Sequence, residues 1–281
     1  MLLGTFAHLF RGSPAAVAAA VQQHGLRCVQ LTPSFPRLRF QQPADFTPER
    51  CRQAAAPFLD AGLHIAALTG STNLVDPDLD RRHRGIVRLH ALLRHCRDFG
   101  TPFLVTETGS PLPKGMHSLS VNRAREVWAE LLLILTEALR IADNAGVRLL
   151  LKPGPGMVLA TVSDAVQLRQ DLPEAALGFV MDPAAFLMES RAEMLAVDLQ
   201  DLVERLGPWT PVVHAKDLRF DAGGVTLPRV GRGILDYGLL LRTLRPFQTE
   251  PPIILEHLQP EEVTAAKATM EMLDDMASGG R

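Results

Sequence analysis

Asp182, His214 and Glu256 each fall near the end of a short apolar run: LGFVMD, PVVHAKD and PIILEH. Two carboxylates and an imidazole brought to one mouth supply the oxygen and nitrogen ligands of a divalent-metal site. A single carboxylate at a strand end is commonly a helix cap or a loop salt bridge, so three equivalent positions in succession carry more weight than any one of them. A further run, VRLLLKPG, ends on Lys152. A lysine in such a place can act as a base or form a Schiff base with a carbonyl if its pKa is depressed. The plainer role is a salt bridge to Asp182 or Glu256.

These residues need a scaffold that gathers strand ends. Eight short β-rich runs supply it, beginning at Leu2, Arg27, His64, Pro102, Val147, Leu177, Pro211 and Pro252, with amphipathic helical stretches between them. Ser13-Pro14 and Thr47-Pro48 each pair an N-cap with proline at the first helical position, and Asn144-Ala145-Gly146 ends the long fourth helix on a glycine. Strand and helix alternating eight times predict an α/β fold, a closed (β/α)8 barrel. No linker or low-complexity segment divides residues 1–281, which read as one domain, with 276–281 expected to fray. In such a barrel the reacting groups lie at the C-terminal strand ends and in the loops beyond them. There the sequence places His8, Gln30, Thr69, Glu107, Lys152, Asp182, His214, Lys216, Asp217 and Glu256. His257, next to Glu256, is expected to point outward.

The run VHAKD, followed downstream by G-x-G-x-x-D-Y (Gly231, Gly233, Asp236, Tyr237), together with FLVTETGS, GFVMDPAAFL and PIILEHL, resembles the xylose isomerase-like TIM barrels. Within them it is most similar to the sugar phosphate isomerases and epimerases, a group that includes tagatose/psicose epimerases and inosose dehydratase. The resemblance spans nearly the whole chain. It implies a divalent metal (manganese, magnesium, cobalt or zinc) held by Glu, Asp, His and Glu from strands five to eight, and copies that pair into homo-oligomers. Asp182, His214 and Glu256 match the last three ligands, whereas Lys152 stands where the strand-five glutamate is implied. Three carboxylates and M²⁺ sum to −1; two carboxylates and one ammonium reach −1 with no metal. Lys152 can therefore stand in for the cation, and metal binding is expected to be weak or absent. By the same resemblance Glu107, Lys216, His8, Asn73 and Arg219 are candidate substrate contacts, and Arg229 and Arg232 candidate phosphate or carboxylate contacts.

Composition narrows the partners. Hydrophobic residues at 47% and a net charge of −2, with no basic stripe, set nucleic acid aside and favour a small carbohydrate-like molecule. An endonuclease IV-like activity on the same fold is also set aside, because His83, His90 and His95 share one helical stretch instead of meeting at strand ends. Three dispersed cysteines suit a reducing compartment, no run is long enough to cross a membrane, and a cytoplasmic protein is expected. KPGPG is no phosphate loop, since its prolines remove backbone donors. The leading expectation is proton transfer next to a carbonyl of a sugar, sugar phosphate or polyol, with Glu256 as base and Lys152, a metal or both as electrophile. The alternatives are a catalytically degraded, metal-free member that binds a ligand or partner, and a keto-sugar lyase or dehydratase.

Overall fold

The computed structural model describes residues 1–113, 116, 118–221, 224–247 and 250–279. Eight parallel strands close into a barrel: β1 (Leu2–Phe6), β2 (Cys28–Leu31), β3 (His64–Thr69), β4 (Phe103–Glu107), β5 (Arg148–Lys152), β6 (Leu177–Met181), β7 (Val212–Ala215) and β8 (Pro252–Leu255). Each strand pairs with its sequence neighbours, and β1 closes the ring by pairing with β8 from Leu2↔Pro252 to Thr5↔Leu255. Every expected strand is present. Gly4 makes the β1–β2 seam possible, because a Cβ there would lie 2.2 Å from the Cys28 carbonyl oxygen.

The helices that cover the ring are α1 (Pro14–Gln23), α2 (Pro48–Asp60), α3 (Leu79–His95), α4 (Arg125–Asn144), α5 (Val162–Asp171), α6 (Leu195–Leu206), α7 (Tyr237–Leu244) and α8 (Val263–Gly279). The caps read from sequence are in place: Ser13 accepts from the Ala16 N–H, Thr47 from Arg50 N–H, and Gly146 takes φ 62° just past α4. α8 continues through Gly279, beyond the point at which fraying is expected, and 280–281 lie outside the described residues. Two small hairpins, Ser34–Phe35 with Leu38–Arg39 and Arg219–Asp221 with Gly224–Thr226, decorate the loops after β2 and β7.

Apolar packing falls into two bodies. The larger joins strands to helices all round the ring; the smaller groups Phe6, Cys28, Ala66, Val105, Leu150, Val180, Val212 and Ile254. Strand alternation sends one set of side chains to the helices and the other into the ring. The polar residues at the C-terminal strand ends lie beyond these. Among the described residues no helix is long and apolar enough to cross a membrane.

Candidate active site

Lys152 ends β5, Asp182 directly follows β6, His214 lies in β7, and Glu256 directly follows β8. Two residues beyond His214 comes Lys216, on the same face of the chain by strand alternation. These five side chains form one buried cluster. Asp182 and His214 are fully buried, and Lys216 and Glu256 nearly so. The Lys216 ammonium bridges the two carboxylates, donating to Asp182 Oδ2 and, over 2.7 Å, to Glu256 Oε2. Lys152 Nζ donates to the other oxygen of Glu256 at 2.5 Å. Asp182 also accepts the Ala185 N–H at 3.1 Å, capping the short turn Pro183–Phe186.

His214 is oriented from across the barrel. Gln30 Nε2 donates to Thr69 Oγ1 at 3.0 Å, which turns the amide oxygen toward His214 Nε2 at 2.7 Å. His214 therefore donates through Nε2–H, and its Nδ1 lone pair faces Glu256 Oε2 at 3.9 Å with no hydrogen-bond partner. Burial, aided by Lys152 and Lys216 and opposed by Glu256, lowers the imidazole to about 3. One donor atom each from Asp182, His214 and Glu256 lies within 4.8 Å of the others, a spacing that can converge on a metal ion.

The electrostatics separate the two glutamates. Burial raises Glu256, but Lys216, Lys152 and His214 outweigh it and hold the carboxyl well below its ordinary range. Burial likewise pulls Lys152 down, yet Glu256, Asp182 and Glu107 overcome it and keep the ammonium protonated. Glu107, paired in register with Lys152 across β4 and β5, has no side-chain hydrogen bond or ion pair among the described residues. Burial raises its pKa; Lys152 opposes the shift and Glu256 adds to it.

An inner chamber of about 350 Å³ opens above this cluster, lined by His8, Gln30, Glu107, Lys152, His214 and Glu256, among others. His8 is held by Thr32 Oγ1 at 3.1 Å and by the Phe6 ring, 5.0 Å away centre to centre. Lys216, Asn73, Arg219 and Arg229 are not among the residues that line this chamber. Lys216 is consumed between the carboxylates. Asn73 ties two loops together, donating to Ser110 O at 2.7 Å and accepting from Ser110 N and Val75 N. Arg219 sits on its hairpin, paired with Asp221 at 3.0 Å, and Arg229 pairs with Glu262. His257 takes φ 56° and meets Leu227 O at 2.6 Å, yet it also borders the chamber, so it does not simply point away.

The long motif proves to be an anchor. Asp217 accepts from the backbone N–H groups of Leu218, Gly231 and Leu235, and the Tyr237 hydroxyl donates to Lys216 O at 2.6 Å. A Cβ on Gly233 would lie 2.3 Å from Asp217 Oδ1, so the second glycine of G-x-G is what lets the loop close onto the aspartate. A second tie runs along the rim: Ser110 Oγ donates to Asn122 Oδ1, and Asn122 Nδ2 donates to Gly156 O at 2.7 Å. With Asn73, it joins the loops after β3, β4 and β5. Sequence reasoning gave neither Gln30 nor Asn122 a role, although an inward polar residue on β2 was a usable signal for Gln30.

A closed parallel barrel with a charge-paired polar cluster at its C-terminal face defines the class. The model of the xylose isomerase-like TIM barrel family matches residues 18–276, and the chain belongs to that family. Among solved structures it is similar to a D-tagatose 3-epimerase-like protein (TM-score 0.77, 15% identity, 99% of each chain covered). It is also similar to 3-keto-D-glucoside 4-epimerase from E. coli (TM-score 0.69, 17% identity, 97% of this chain and 99% of that one). A third is a xylose isomerase-like protein from Mycobacterium smegmatis in complex with magnesium (TM-score 0.72, 15% identity, 99% and 96%). No curated protein matches the chain by sequence.

Proposed function

We propose that this protein is a carbohydrate isomerase or epimerase that moves a proton next to a carbonyl, with ammonium groups doing the work of a divalent metal. The observation that carries this reading is the pairing of Lys152 and Lys216 with Glu256 and Asp182 beneath a chamber bordered by the carboxyl of Glu107, which is unpaired among the described residues. The His214 lone pair suits a metal, but the charge does not. Lys152 and Lys216 already occupy the Glu256 and Asp182 oxygens that a metal would need, and M²⁺ placed there would sit against two ammonium groups. The residues as they stand do not fit a bound divalent ion.

Enolisation needs a base near the carbon and a cation near the oxygen. Lys152, the more exposed of the two lysines, is the electrophile: its N–H groups face the chamber and stabilise the negative charge that develops on a substrate carbonyl oxygen. Schiff-base chemistry is disfavoured, because the carboxylates hold that nitrogen protonated and non-nucleophilic. Glu256, expected as the base, has both oxygens engaged by ammonium groups; Glu107 has neither and is the base in this proposal. It removes the proton from the carbon beside the carbonyl. Returning that proton to the former carbonyl carbon, while the neighbouring hydroxyl's proton passes to the former carbonyl oxygen, completes an isomerisation; expelling a β-hydroxyl from the same enediolate would be dehydration.

Incubation in D₂O with D-fructose, D-psicose or D-tagatose, followed by proton NMR, tests the reading. Deuterium is expected next to the carbonyl with wild-type protein in the presence of EDTA and is lost in Glu107→Gln. Exchange that EDTA abolishes would overturn the metal-free mechanism, and exchange retained in Glu107→Gln would overturn the assignment of the base. Binding of a ketose without exchange would favour the second reading, a ligand-binding member without turnover. That reading draws on the engagement of both Glu256 oxygens. The three free, buried cysteines accord with a cytoplasmic setting.

A further inference from the structure

Moving a carbonyl one carbon along a sugar takes two proton transfers, one between carbons and one between oxygens. Glu107 accounts for the first. The second passes between the two oxygens at the edge of the enediolate, whereas a base for the carbons must stand over its face. One side chain cannot hold both places, so the oxygen transfer calls for a group on another wall of the inner chamber.

His8 stands on such a wall. It follows β1 in the turn Ala7–Leu9, three places round the ring from the β4 end that carries Glu107, and both residues line the chamber. β8 adjoins β1, so the 2.5 Å contact between Lys152 and Glu256 draws the electrophilic ammonium from β5 towards the side of the mouth where His8 lies. A carbonyl oxygen held by that ammonium is brought towards the imidazole.

The ring is fastened at one end and open at the other. His8 Nδ1 meets Thr32 Oγ1 at 3.1 Å and Phe6 packs against the ring, while Nε2 has no hydrogen bond among the described residues. With Nδ1–H donating to Thr32, Nε2 carries the lone pair. Burial lowers the imidazole below its ordinary range, Glu256 opposing and Lys152 adding to the effect. The ring is therefore neutral at neutral pH and able to take a proton, and the Glu256 charge steadies the imidazolium while it lasts. His214 lacks this freedom, since its Nε2–H is given to Gln30 and its Nδ1 faces Glu256.

We propose that His8 is a second catalytic residue, the shuttle that carries a proton from the substrate hydroxyl to the former carbonyl oxygen, and that the site is built for isomerisation. This rests on the reading of Glu107 as base and Lys152 as electrophile. Nε2 takes the proton of the hydroxyl beside the carbonyl, and the electrons of that O–H bond stay on the oxygen. They form the new carbonyl as the electrons of the enediolate double bond take the proton held by Glu107 onto the former carbonyl carbon. The imidazolium gives its proton to the former carbonyl oxygen, and the ring ends as it began.

The same ketoses in D₂O, with the aldose followed in the same spectra, separate the two transfers. Wild type with EDTA is expected to show both deuterium next to the carbonyl and aldose. In His8→Gln the exchange should stay within about threefold, because Glu107 still returns deuterium to the carbon it deprotonated, while aldose formation falls about a hundredfold or more. Thr32→Val unfastens the ring without removing it and should show the same split at about tenfold; it carries the test if His8→Gln fails to fold. Aldose formation unchanged in His8→Gln, exchange and aldose lost together in the folded variant, or the split appearing in His257→Gln instead would each overturn the assignment. An epimerised ketose without aldose from wild type would overturn the isomerisation. Wild type that exchanges deuterium into none of the ketoses would remove the catalytic reading and the shuttle with it, whereas exchange without the split removes the shuttle alone.

Discussion

Replacing Lys216 by methionine removes the ammonium that bridges Asp182 and Glu256 while keeping most of the side-chain volume. Asp182 would then be a fully buried carboxylate with one remaining donor, the Ala185 N–H. Glu256 would keep only Lys152. Leaving a buried charge without its partner costs about 3–5 kcal/mol, which for a chain of this size is a fall of roughly 10 °C in melting temperature. The same change strips the carboxylate oxygens that face the His214 lone pair of their cation, so Lys216→Met should acquire affinity for Mn²⁺. A ligand at a hundred times its Kd restores about 2.7 kcal/mol, enough to recover much of the loss. Thermal unfolding of both proteins, with EDTA and then with millimolar Mn²⁺, reads both effects. Wild type should be indifferent to the metal and the variant rescued by it. Wild-type protein that carries stoichiometric metal, or that Mn²⁺ stabilises as much as the variant, would refute the charge-substitution argument.

Acid should destabilise the fold through its imidazoles. His214 is held near 3 in the folded state and lies near 6.5 when unfolded, so the unfolded chain binds the extra proton. Its contribution is complete above pH 6.5 and is lost as pH falls from there toward 3, at about 1.4 kcal/mol per pH unit. His8, His64 and His90 are lowered in the same direction, mainly by burial. Urea unfolding between pH 6.5 and 5 should therefore be shallower by about one proton in His214→Gln than in wild type, and an unchanged slope would count against the neutral, buried imidazole. Gly109→Ala should cost about 2 kcal/mol or more in urea unfolding, since its φ is 76° and the added methyl would fall 1.8 Å from Asn73 Oδ1, breaking the tie to Ser110. Cys28, Cys51 and Cys96 are all buried, and burial pushes Cys28 and Cys51 up to about 12. A thiol reagent at pH 8 should leave the native protein untouched and titrate three groups after denaturation.

The barrel could be read in the sequence because each run carried its own punctuation: Gly62 and Gly100 mark the helix-to-strand turns before β3 and β4, and the proline-preceding caps mark α1 and α2. Asp182, His214, Glu256 and Lys152 could be read because strand ends converge in this fold wherever the chain wanders between them. Depth was harder to see. Lys216 looked like a free cation, yet two-residue alternation from His214 already sent it inward, where only Asp182 and Glu256 could receive it. Asn73 looked like a sugar contact because it follows β3. Its partner Ser110 is 37 residues away, and nothing local announces such a pairing. Which of Glu256 and Glu107 keeps free carboxylate oxygens was hidden for a related reason, since it depends on contacts made by every other strand end.

The asparagine ties along the rim carry a consequence for kinetics. A loop that must order itself over a ligand spends conformational entropy at every binding event, and its opening often limits turnover. Here Asn73 and Asn122 hold three loops in one frame before anything arrives. Among the described residues, admission past these ties is then a question of shape, as with a sieve: the tied part of the rim is already in place when a molecule arrives, and its ordering is not charged to each binding event.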